Sequence, residues 1–379
     1  MHNKKKIVFI NQASGYLTID IVNSFVPEYD EIALISSPIR VQERNLDKKV
    51  VLVNTPAHSR ASNSLRIIKW IISTIHIFFL LLTKFRKYEF FYITVPPMSY
   101  WCSLFLPNKF SILIFDIYPD VLKTFGVKES NIIYQLWARI NKYIFKKSHK
   151  LFTLSQDLAK KIQKYTNNPV VVINNWSGFT EIVNIEKNEN PFILDHGLKD
   201  KFIVQYAGNV SASHKIDILL DLAKILENEP KILFLIVGRG NHLTYLKERA
   251  KNEGLENIRF LPFQPDNILK YSLSSADISV VVVGDDVADI SVPSKIYNLQ
   301  SLSIPILGIS KQNSELSKHI EKYKNGRCFS RDDLSGIANY LKYLLDNSEI
   351  QAQLKRNSAR AAIDFNYNNA KKYLQQYLN

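Results

Sequence analysis

Cysteine is scarce in this chain, with two residues among 379, Cys102 and Cys328. They lie far apart in sequence and match no disulfide framework, metal motif or redox spacing, so a reducing cytoplasm is the expected compartment. The basic residues 2–6 run straight into the short apolar stretch 7–10, which is typical of a first strand and too short for a signal-peptide core. We therefore expect no secretion.

The chain also lacks any Asp-x-Asp triplet, and its His, Asp and Glu residues form no cluster with metal-ligand spacing. Neither a bound metal nor a cofactor is expected from this pattern. Any anionic ligand would then have to be held by lysine side chains, backbone N–H groups and helix dipoles.

Acidic residues are outnumbered, because 49 Lys and Arg face 35 Asp and Glu and give a net charge of +14. Such an excess indicates an anionic partner, for which nucleic acid, a nucleotide sugar and acidic lipid all qualify. No zinc-finger spacing, ribonucleoprotein motif or Arg-rich run is present, so nucleic acid is not expected as a partner.

Long uninterrupted apolar runs are missing too. The most apolar tract, residues 67–85, contains Lys69 and His76, and its purest part, 77–82, is far shorter than the roughly 20 residues of a spanning helix. The tract predicts a helix over 64–85 that does not cross a bilayer. Either it is an ordinary buried helix, or it is amphipathic and lies in an acidic membrane interface, which the basic flanks and the aromatic segment 88–110 would suit.

Short β-rich runs alternate with longer helical patterns almost from end to end, which predicts an α/β fold with parallel sheets. A chain of this length can bury two cores, since single cores stop growing near roughly 250–300 residues. We expect two doubly wound domains with a ligand at the carboxyl ends of their strands. The predicted boundaries are 1–180 for the first domain, 181–200 for a polar linker, 201–360 for the second domain, and 361–379 for a C-terminal helix packing back on the first.

One segment, residues 292–308, places a Pro-Ser-Lys turn before a helix predicted at 294–302, followed by an apolar strand. Free N–H groups in a first helical turn, the helix dipole and the cation of Lys295 can together hold a phosphate. An ordinary helix N-cap at Ser294 would give the same sequence pattern.

Three further segments carry chemistry at predicted strand ends: 116–120 (Asp-Ile-Tyr-Pro-Asp), 204–210, which contains Gly208, and 235–240, which contains Gly238. A glycine after a strand lets backbone approach a phosphate, although a simple strand-ending turn explains it equally well. The turn at 237–240 lacks the third glycine of a dinucleotide fingerprint and the Lys-Ser/Thr of a P-loop.

These four segments, in this order, resemble family 4 glycosyltransferases of the GT-B fold, in the branch with a proline-serine-lysine turn. The resemblance implies two Rossmann-like domains facing across a cleft and transfer from a nucleotide sugar, a uridine diphosphate sugar above all, with retention of configuration. It further implies a glycan or polyprenyl-linked acceptor in surface polysaccharide synthesis. The chain would then be a cytoplasmic enzyme, peripheral on the inner face of the membrane if the 67–85 tract is interfacial.

The resemblance also implies a set of donor contacts. Asn209 stands where the family has an arginine, and Asn298, seven residues before Pro305, stands where it has a ribose-binding glutamate, so both positions depart from the pattern. The implied donor-binding residues are Gly15, Gly208, Asn209, Lys215, Gly238, Arg239, Pro265, Ser294, Lys295 and Asn298. Asp289, in the acidic loop before the Pro-Ser-Lys turn, is a further donor-binding candidate that could face the sugar hydroxyls, with a solvated acidic loop as the alternative.

Asp116 follows the predicted strand 111–115 and would lie at its carboxyl end. A carboxylate there can orient or deprotonate an acceptor hydroxyl. Asp120 is the second catalytic candidate, with capping of the next helix as its alternative role.

Two other functions remain open. A nucleotide-sugar 2-epimerase shares the architecture but would form product without an acceptor. A non-catalytic nucleotide-sugar-binding membrane scaffold would account for the changes at Asn209 and Asn298.

Overall fold

The computed structural model describes residues 4–56, 63–284 and 293–379, which form two compact units. Unit 1 contains Met1–Gly178 and Tyr367–Asn379, and unit 2 contains Phe179–Asn366. Asp289, named above as a donor contact, lies outside the described residues, as do its neighbours Asp285 and Asp286.

Unit 1 is built on a seven-stranded parallel sheet with the strand order β3-β2-β1-β4-β5-β6-β7. Its strands are short runs of β-branched and aromatic residues that are mostly buried, as expected for a parallel sheet covered on both faces. They are β1 (Lys6–Ile10), β2 (Glu31–Ser36), β3 (Val50–Asn54), β4 (Glu89–Ile93), β5 (Phe110–Ile114), β6 (Lys150–Thr153) and β7 (Val170–Val172).

The helices of unit 1 connect these strands and cover the sheet. In the first part of the chain they are α1 (Tyr16–Phe25), α2 (Asn63–Leu82), α3 (Ile132–Lys147) and α4 (Gln156–Ile162). The side-chain oxygen of Asn131 caps α3 by accepting from the N–H of Ile133 at 2.9 Å, and Ser155 caps α4 in the same way.

Helix α2 is not an ordinary buried helix. Ser73, Ile77 and Leu81 on one face are fully buried, whereas the opposite face exposes large apolar side chains to solvent. By length and composition alone α2 could span a membrane, with a mean hydropathy of 1.9 over Leu65–Leu82, but only 22% of that window is buried. The buried-helix interpretation of the tract is therefore wrong, because the stripe that packs on unit 1 covers less than half of the helix surface.

Unit 2 contains a six-stranded parallel sheet with the order β10-β9-β8-β11-β12-β13. In its core, aliphatic residues of the sheet pack against aliphatic residues of the covering helices. The strands are β8 (Phe202–Asn209), β9 (Ile232–Arg239), β10 (Ile258–Pro262), β11 (Ile278–Val282), β12 (Ile306–Ile309) and β13 (Gly326–Phe329). The helices are α5 (Pro191–Asp195), α6 (Ile218–Ile225), α7 (Leu243–Asn252), α8 (Asp266–Leu273), α9 (Lys295–Ser301), α10 (Glu315–Tyr323), α11 (Leu334–Asp346) and α12 (Ser348–Asp364).

The segment 181–200, expected as a linker, is instead packed into unit 2. Phe192, Ile193 and Leu198 are buried in one apolar cluster with β8 and β9. The ammonium group of Lys187 contacts Asp277 at 2.5 Å, and Asp277 in turn accepts from the N–H of Ile203. The polar composition of segment 181–200 gave no indication of this packing, because its buried apolar residues are few and irregularly spaced.

The C-terminal helix α13 (Asn369–Leu378) returns to unit 1 and packs on α1. Tyr373 and Tyr377 are fully buried there. The Tyr377 ring lies 5.4 Å from that of Phe25, and its hydroxyl donates to Glu89 at 2.6 Å. The first residues of the predicted helix 361–379 belong to the end of α12 in unit 2.

Candidate active site

Two neighbouring strand ends of unit 2 form one wall of the candidate donor site. Strands β8 and β9 are paired in register so that Gly208 lies beside Gly238 and Asn209 beside Arg239. A Cβ at Gly238 would lie 2.0 Å from the carbonyl oxygen of Gly208, so the close backbone approach itself requires glycine there. Gly208 has a φ of 147°, which side chains rarely adopt.

A pocket of about 130 Å³ opens at these strand ends. It contains apolar walls and several polar groups, which is the usual composition of a small-molecule site. The lining residues are Ala207, Gly208, Val237, Phe263, Gln264, Leu269, Ser272, Leu273, Ser279, Lys295, Asn298 and Leu299.

Lys295 supplies the positive charge of this pocket. Its ammonium nitrogen lies 4.2 Å from the centre of the Tyr206 ring and 3.4 Å from the carbonyl oxygen of Val280. Burial lowers the pKa of Lys295 to about 7, because the charged form is desolvated. A ligand with anionic oxygens would provide the counter-charge that Lys295 lacks among the described residues.

The helix after the Pro-Ser-Lys turn is shorter than predicted. It begins at Lys295 and ends at Ser301, so it has two turns, and Ser294 precedes it without a side-chain capping bond. A two-turn helix has few aligned peptide dipoles. The cationic side chain therefore contributes more to an anion site here than the helix start does.

The loop after β8 is held by bonds to its own backbone. The carbonyl oxygen of Asn209 accepts from the Tyr206 hydroxyl at 2.8 Å and from Nδ1 of His214 at 2.6 Å. Lys215 has a left-handed backbone, and its carbonyl oxygen accepts from Arg331. Asn209 and Lys215 are not among the residues that line the pocket.

Arg239 and the loop after β10 form the rim of the pocket. The Arg239 guanidinium lies 4.6 Å from the centre of the Phe263 ring, and Phe263 lines the pocket. The carbonyl oxygen of Pro265 accepts from the N–H groups of Ile268 and Leu269, which begins α8. Arg239 and Pro265 are thus next to the site without lining it.

Of the donor-binding residues named from the sequence, Gly208, Lys295 and Asn298 line this one pocket. Sequence reasoning missed Tyr206 as the ring beneath Lys295, and it missed Ser272 and Ser279 entirely. Tyr206 could have been found from the sequence, because it lies two residues before a glycine near the end of a strand. No sequence pattern marks the two serines.

The remaining candidates lie in unit 1. Asp116 follows β5, as expected, and reaches solvent, although enough protein atoms surround its carboxyl to desolvate it in part. The protein atoms around its carboxyl raise the pKa of Asp116 above its ordinary value by desolvation. Gly15 precedes α1, and its carbonyl oxygen accepts from Ile19 at 3.0 Å.

Asp120 has a different environment from Asp116. Its carboxylate accepts from the hydroxyls of Tyr134 at 3.0 Å and Tyr165 at 2.5 Å, and Lys123 lies 3.1 Å away. Burial raises its pKa, but the hydrogen bonds from Tyr165, Lys123 and Tyr134 together outweigh burial and leave the pKa lowered. A carboxylate engaged in this way holds α3 and the Tyr165 region to the 116–120 turn and has little capacity left for a substrate proton.

Within the described ranges, no group of three or more His, Cys, Asp and Glu side chains is arranged to hold a metal ion.

Two units with parallel, Rossmann-like sheets, and a mainly apolar pocket with a few polar groups at the strand ends of the second, define the GT-B class of fold, as the sequence predicted. Residues 186–361 match the family described as glycosyl transferases group 1. The resemblance stated from the motifs is thereby confirmed.

Individual proteins agree with this assignment. The chain is 26% identical over 217 residues to WbjE of Pseudomonas aeruginosa, whose name proposes it as a glycosyltransferase, with 56% of this chain and 54% of that protein covered. It is 27% identical over 156 residues to WcaI of Escherichia coli (strain K12), whose name proposes it as a colanic acid biosynthesis glycosyl transferase, with 41% and 38% covered. The matches thus span about half or less of these relatives' lengths.

Among solved structures, HepE of Anabaena in complex with UDP has the same fold. Its TM-score is 0.71 at 14% identity, and the match covers 98% of this chain and 99% of that one.

Proposed function

We propose that this protein is a glycosyltransferase that moves a sugar from a uridine diphosphate sugar to a glycan or polyprenyl-linked acceptor, with retention of configuration and without a metal ion. The observation that carries the proposal is the pocket at the ends of β8 and β9, which Lys295 lines. The family match over residues 186–361 supports the activity.

In the proposed donor complex, the diphosphate lies at Gly208 and Lys295. Gly208 has no side chain to keep a phosphate from the backbone, and the Lys295 ammonium is the cation nearest to it in the pocket. The nucleobase lies at Phe263, which Arg239 stacks against, and Asn298 hydrogen-bonds the ribose. The HepE complex with UDP supports the choice of nucleotide.

The bond between the sugar's anomeric carbon and the diphosphate oxygen breaks in the proposed reaction, and negative charge grows on the leaving diphosphate. Lys295 would stabilise that charge, because a cation in a pocket of low polarity interacts strongly with a developing anion. Asn209 supplies less charge compensation than an arginine at this position would, so Lys295 has to stabilise more of the negative charge on the diphosphate.

Asp116 is the proposed base. It would accept the proton of the acceptor hydroxyl as that oxygen bonds to the anomeric carbon on the face from which the diphosphate leaves, which retains the configuration. Its raised pKa makes it a better proton acceptor than an ordinary aspartate. Asp120, which the sequence offered as a second catalytic residue, is proposed to position this turn through Tyr134 and Tyr165.

A place in surface polysaccharide synthesis follows from the same proposal, supported by the name of WcaI. Donor, acceptor and enzyme would then meet on the cytoplasmic side of a membrane.

The decisive experiment is calorimetric titration of the purified chain with UDP, and with ADP and GDP as matched nucleotides. We expect UDP to bind most tightly. Incubation with radiolabelled UDP-sugars follows, with and without added acceptor. Acceptor-dependent release of UDP supports the transferase, whereas a changed sugar without acceptor would mean an epimerase. Binding without any turnover would leave a scaffold.

A further inference from the structure

Helix α2 presents a continuous apolar stripe to solvent on the surface of unit 1. Ile68, Ile75 and Phe79 are 51%, 53% and 57% exposed. The exposed residues recur every three to four positions, so they share one helix face. The complete stripe, called here the α2 stripe, is Leu65, Ile67, Ile68, Ile71, Ile72, Ile75, Phe79 and Leu82.

The opposite face of α2 is fixed to unit 1 along its length. Ser73, Ile77 and Leu81 are fully buried, and Ser73 accepts a hydrogen bond from the side chain of Gln12 at 2.6 Å. A helix held in this way lies flat on the protein surface and does not cross a bilayer. Only its outer half is free to meet an apolar phase.

The apolar surface continues beyond α2. The Phe105 ring, 74% exposed, lies 5.9 Å from that of Phe78 on α2. Trp70 on α2 contacts Tyr118 at 5.9 Å, and Tyr118 stacks on Trp137 of α3 at 5.3 Å. The first turns of α3 expose three large apolar residues, Ile132, Ile133 and Leu136.

Exposed basic residues follow α2 and lie on α3, and acidic residues are scarce in these segments. Between residues 63 and 115 the sequence contains one acidic residue, Glu89, and α3 contains none. Exposed cations follow α2 directly and occupy the later turns of α3: Lys84, Arg86, Lys87, Arg139, Lys142, Lys146 and Lys147. An apolar stripe with a basic border is complementary to a leaflet of acidic phospholipid.

We propose that the α2 stripe, together with Phe105 and the start of α3, docks on an acidic membrane leaflet and presents unit 1 to a lipid-linked acceptor. The docking itself is independent of the reaction, whereas the acceptor class rests on the proposed function. Tyr118 connects the two, because its ring touches Trp70 of the surface while its residue lies in the turn that begins at Asp116.

The test is co-sedimentation of the full-length chain with vesicles of phosphatidylcholine alone and of phosphatidylcholine with phosphatidylglycerol. We expect binding to the acidic vesicles that falls as salt rises through roughly 0.1–0.15 M, where surface charges are screened beyond about 8–10 Å. Equal binding to both vesicles, or binding to neither, would overturn the proposal, and so would a stable dimer that stays in the supernatant.

Two triple variants separate the contributions. Ile68→Ser, Ile72→Ser and Phe79→Ser together remove half-exposed apolar contacts and should reduce vesicle binding roughly tenfold or more. The matched control replaces the exposed Leu194, Ile225 and Ile363 of unit 2 by serine and should leave binding unchanged. An equal loss in both variants would contradict a localised surface.

Lys84→Ser, Arg86→Ser and Lys87→Ser together should also lower binding to acidic vesicles roughly tenfold or more, since each basic residue near a charged leaflet contributes measurably. Their control is Lys199, Lys247 and Lys251 of unit 2, all exposed, changed to serine.

Transfer assays then test the acceptor. We expect the stripe variant to keep UDP affinity and to lose transfer to a lipid-linked acceptor in vesicles. Normal vesicle binding with no transfer would count against the proposed function alone, and intact transfer without vesicle binding would overturn the docking proposal.

Discussion

Burial leaves Lys295 titrating near neutral pH, which makes its charge sensitive to what binds beside it. Its folded pKa is about 7, against an ordinary value of 10.5. Between these values the unfolded chain holds a proton that the folded chain does not. Lys295 therefore destabilises the fold most below pH 7, and this penalty disappears as pH rises towards 10.5.

The first prediction follows for donor binding. A diphosphate beside Lys295 should raise its pKa again, so UDP binding near pH 8 should take up protons and weaken as pH rises. Lys295→Met should abolish the proton uptake and cost about 1.5–3 kcal/mol of binding free energy. Calorimetry in buffers of different ionisation enthalpy measures both effects.

Lys270→Met on α8 is the matched control, because this lysine is partly buried in the same unit and does not line the pocket. UDP affinity that is the same in the Lys295 variant and the parent would remove Lys295 from the donor site.

The second prediction concerns Asp116. Asp116→Asn should lower kcat by roughly 10²–10⁴ with little change in UDP affinity, since a base on the acceptor side acts in the transition state. The acid limb of the parent's pH–rate profile should lie above the ordinary aspartate value, because the pKa of Asp116 is raised. Steady-state kinetics across pH gives both quantities.

Asp120→Asn tests whether Asp120 has a structural role, in contrast to the catalytic role proposed for Asp116. It weakens bonds to Tyr134, Tyr165 and Lys123, so we expect a loss of Tm together with a loss of turnover. Full turnover in Asp116→Asn would transfer the base assignment to another residue.

For single residues, the sequence indicated candidates for the site where the backbone requires a particular residue type, as at Gly208, or where one charged residue stands alone, as at Lys295. Gly208 and Lys295, both named from motifs, line the same pocket although they lie almost ninety residues apart in sequence. The contact of Lys295 with Tyr206 and the lining by Ser279 depend on strand order and on which way each side chain points, so no local pattern reports them.

Among the elements, α13 shows how a short terminal helix can complete a distant core. The third prediction is that Tyr377→Ala destabilises the protein by about 3–5 kcal/mol, because the buried ring contacts Phe25 and Phe91. Tyr377→Phe keeps the ring and loses the hydroxyl with its hydrogen bonds to Glu89 and Tyr29, so it should cost about 1.5–3 kcal/mol. Urea denaturation followed by circular dichroism measures both.

Leu378→Ala is the control, since its side chain is half exposed at the end of the same helix. A loss as large as that of Tyr377→Ala would mean that helix propensity matters more than core packing.

Helix and strand periodicity predicted most elements, including α2, but not their environments. The strand predicted at 202–206 continues to Asn209, because β9 pairs with it through the glycine that seemed to end it. The sequence left the burial of α2 open, because the apolar residues continue around most of the helix and composition does not show which face meets the sheet.

For the whole molecule, unit 2 is continuous in sequence whereas unit 1 is made of two segments. The fourth prediction is that a fragment of residues 179–366 folds and binds UDP within about tenfold of the full chain, since the complete six-stranded sheet and the pocket lie inside it. Circular dichroism and calorimetry provide the test. A folded fragment that does not bind UDP would require residues of unit 1, such as Gly15, in the donor site.

Alternation of strand and helix indicated the presence of two α/β units, and chain length supported it. The return of residues 367–379 to unit 1 depends on Tyr373 and Tyr377 fitting between α1 and the sheet, a long-range contact that periodicity cannot specify.

All four tryptophans of the chain lie in unit 1, at positions 70, 101, 137 and 176. Three of them belong to the aromatic contacts beside the α2 stripe, whereas Trp176 is fully buried and donates to Asp20 at 2.7 Å. Indole emission from the native chain is therefore an optical signal of unit 1 alone. Insertion of the stripe into lipid should shift the emission of the three clustered indoles to shorter wavelength. Trp176 should contribute a constant background, and unit 2 contributes no indole emission.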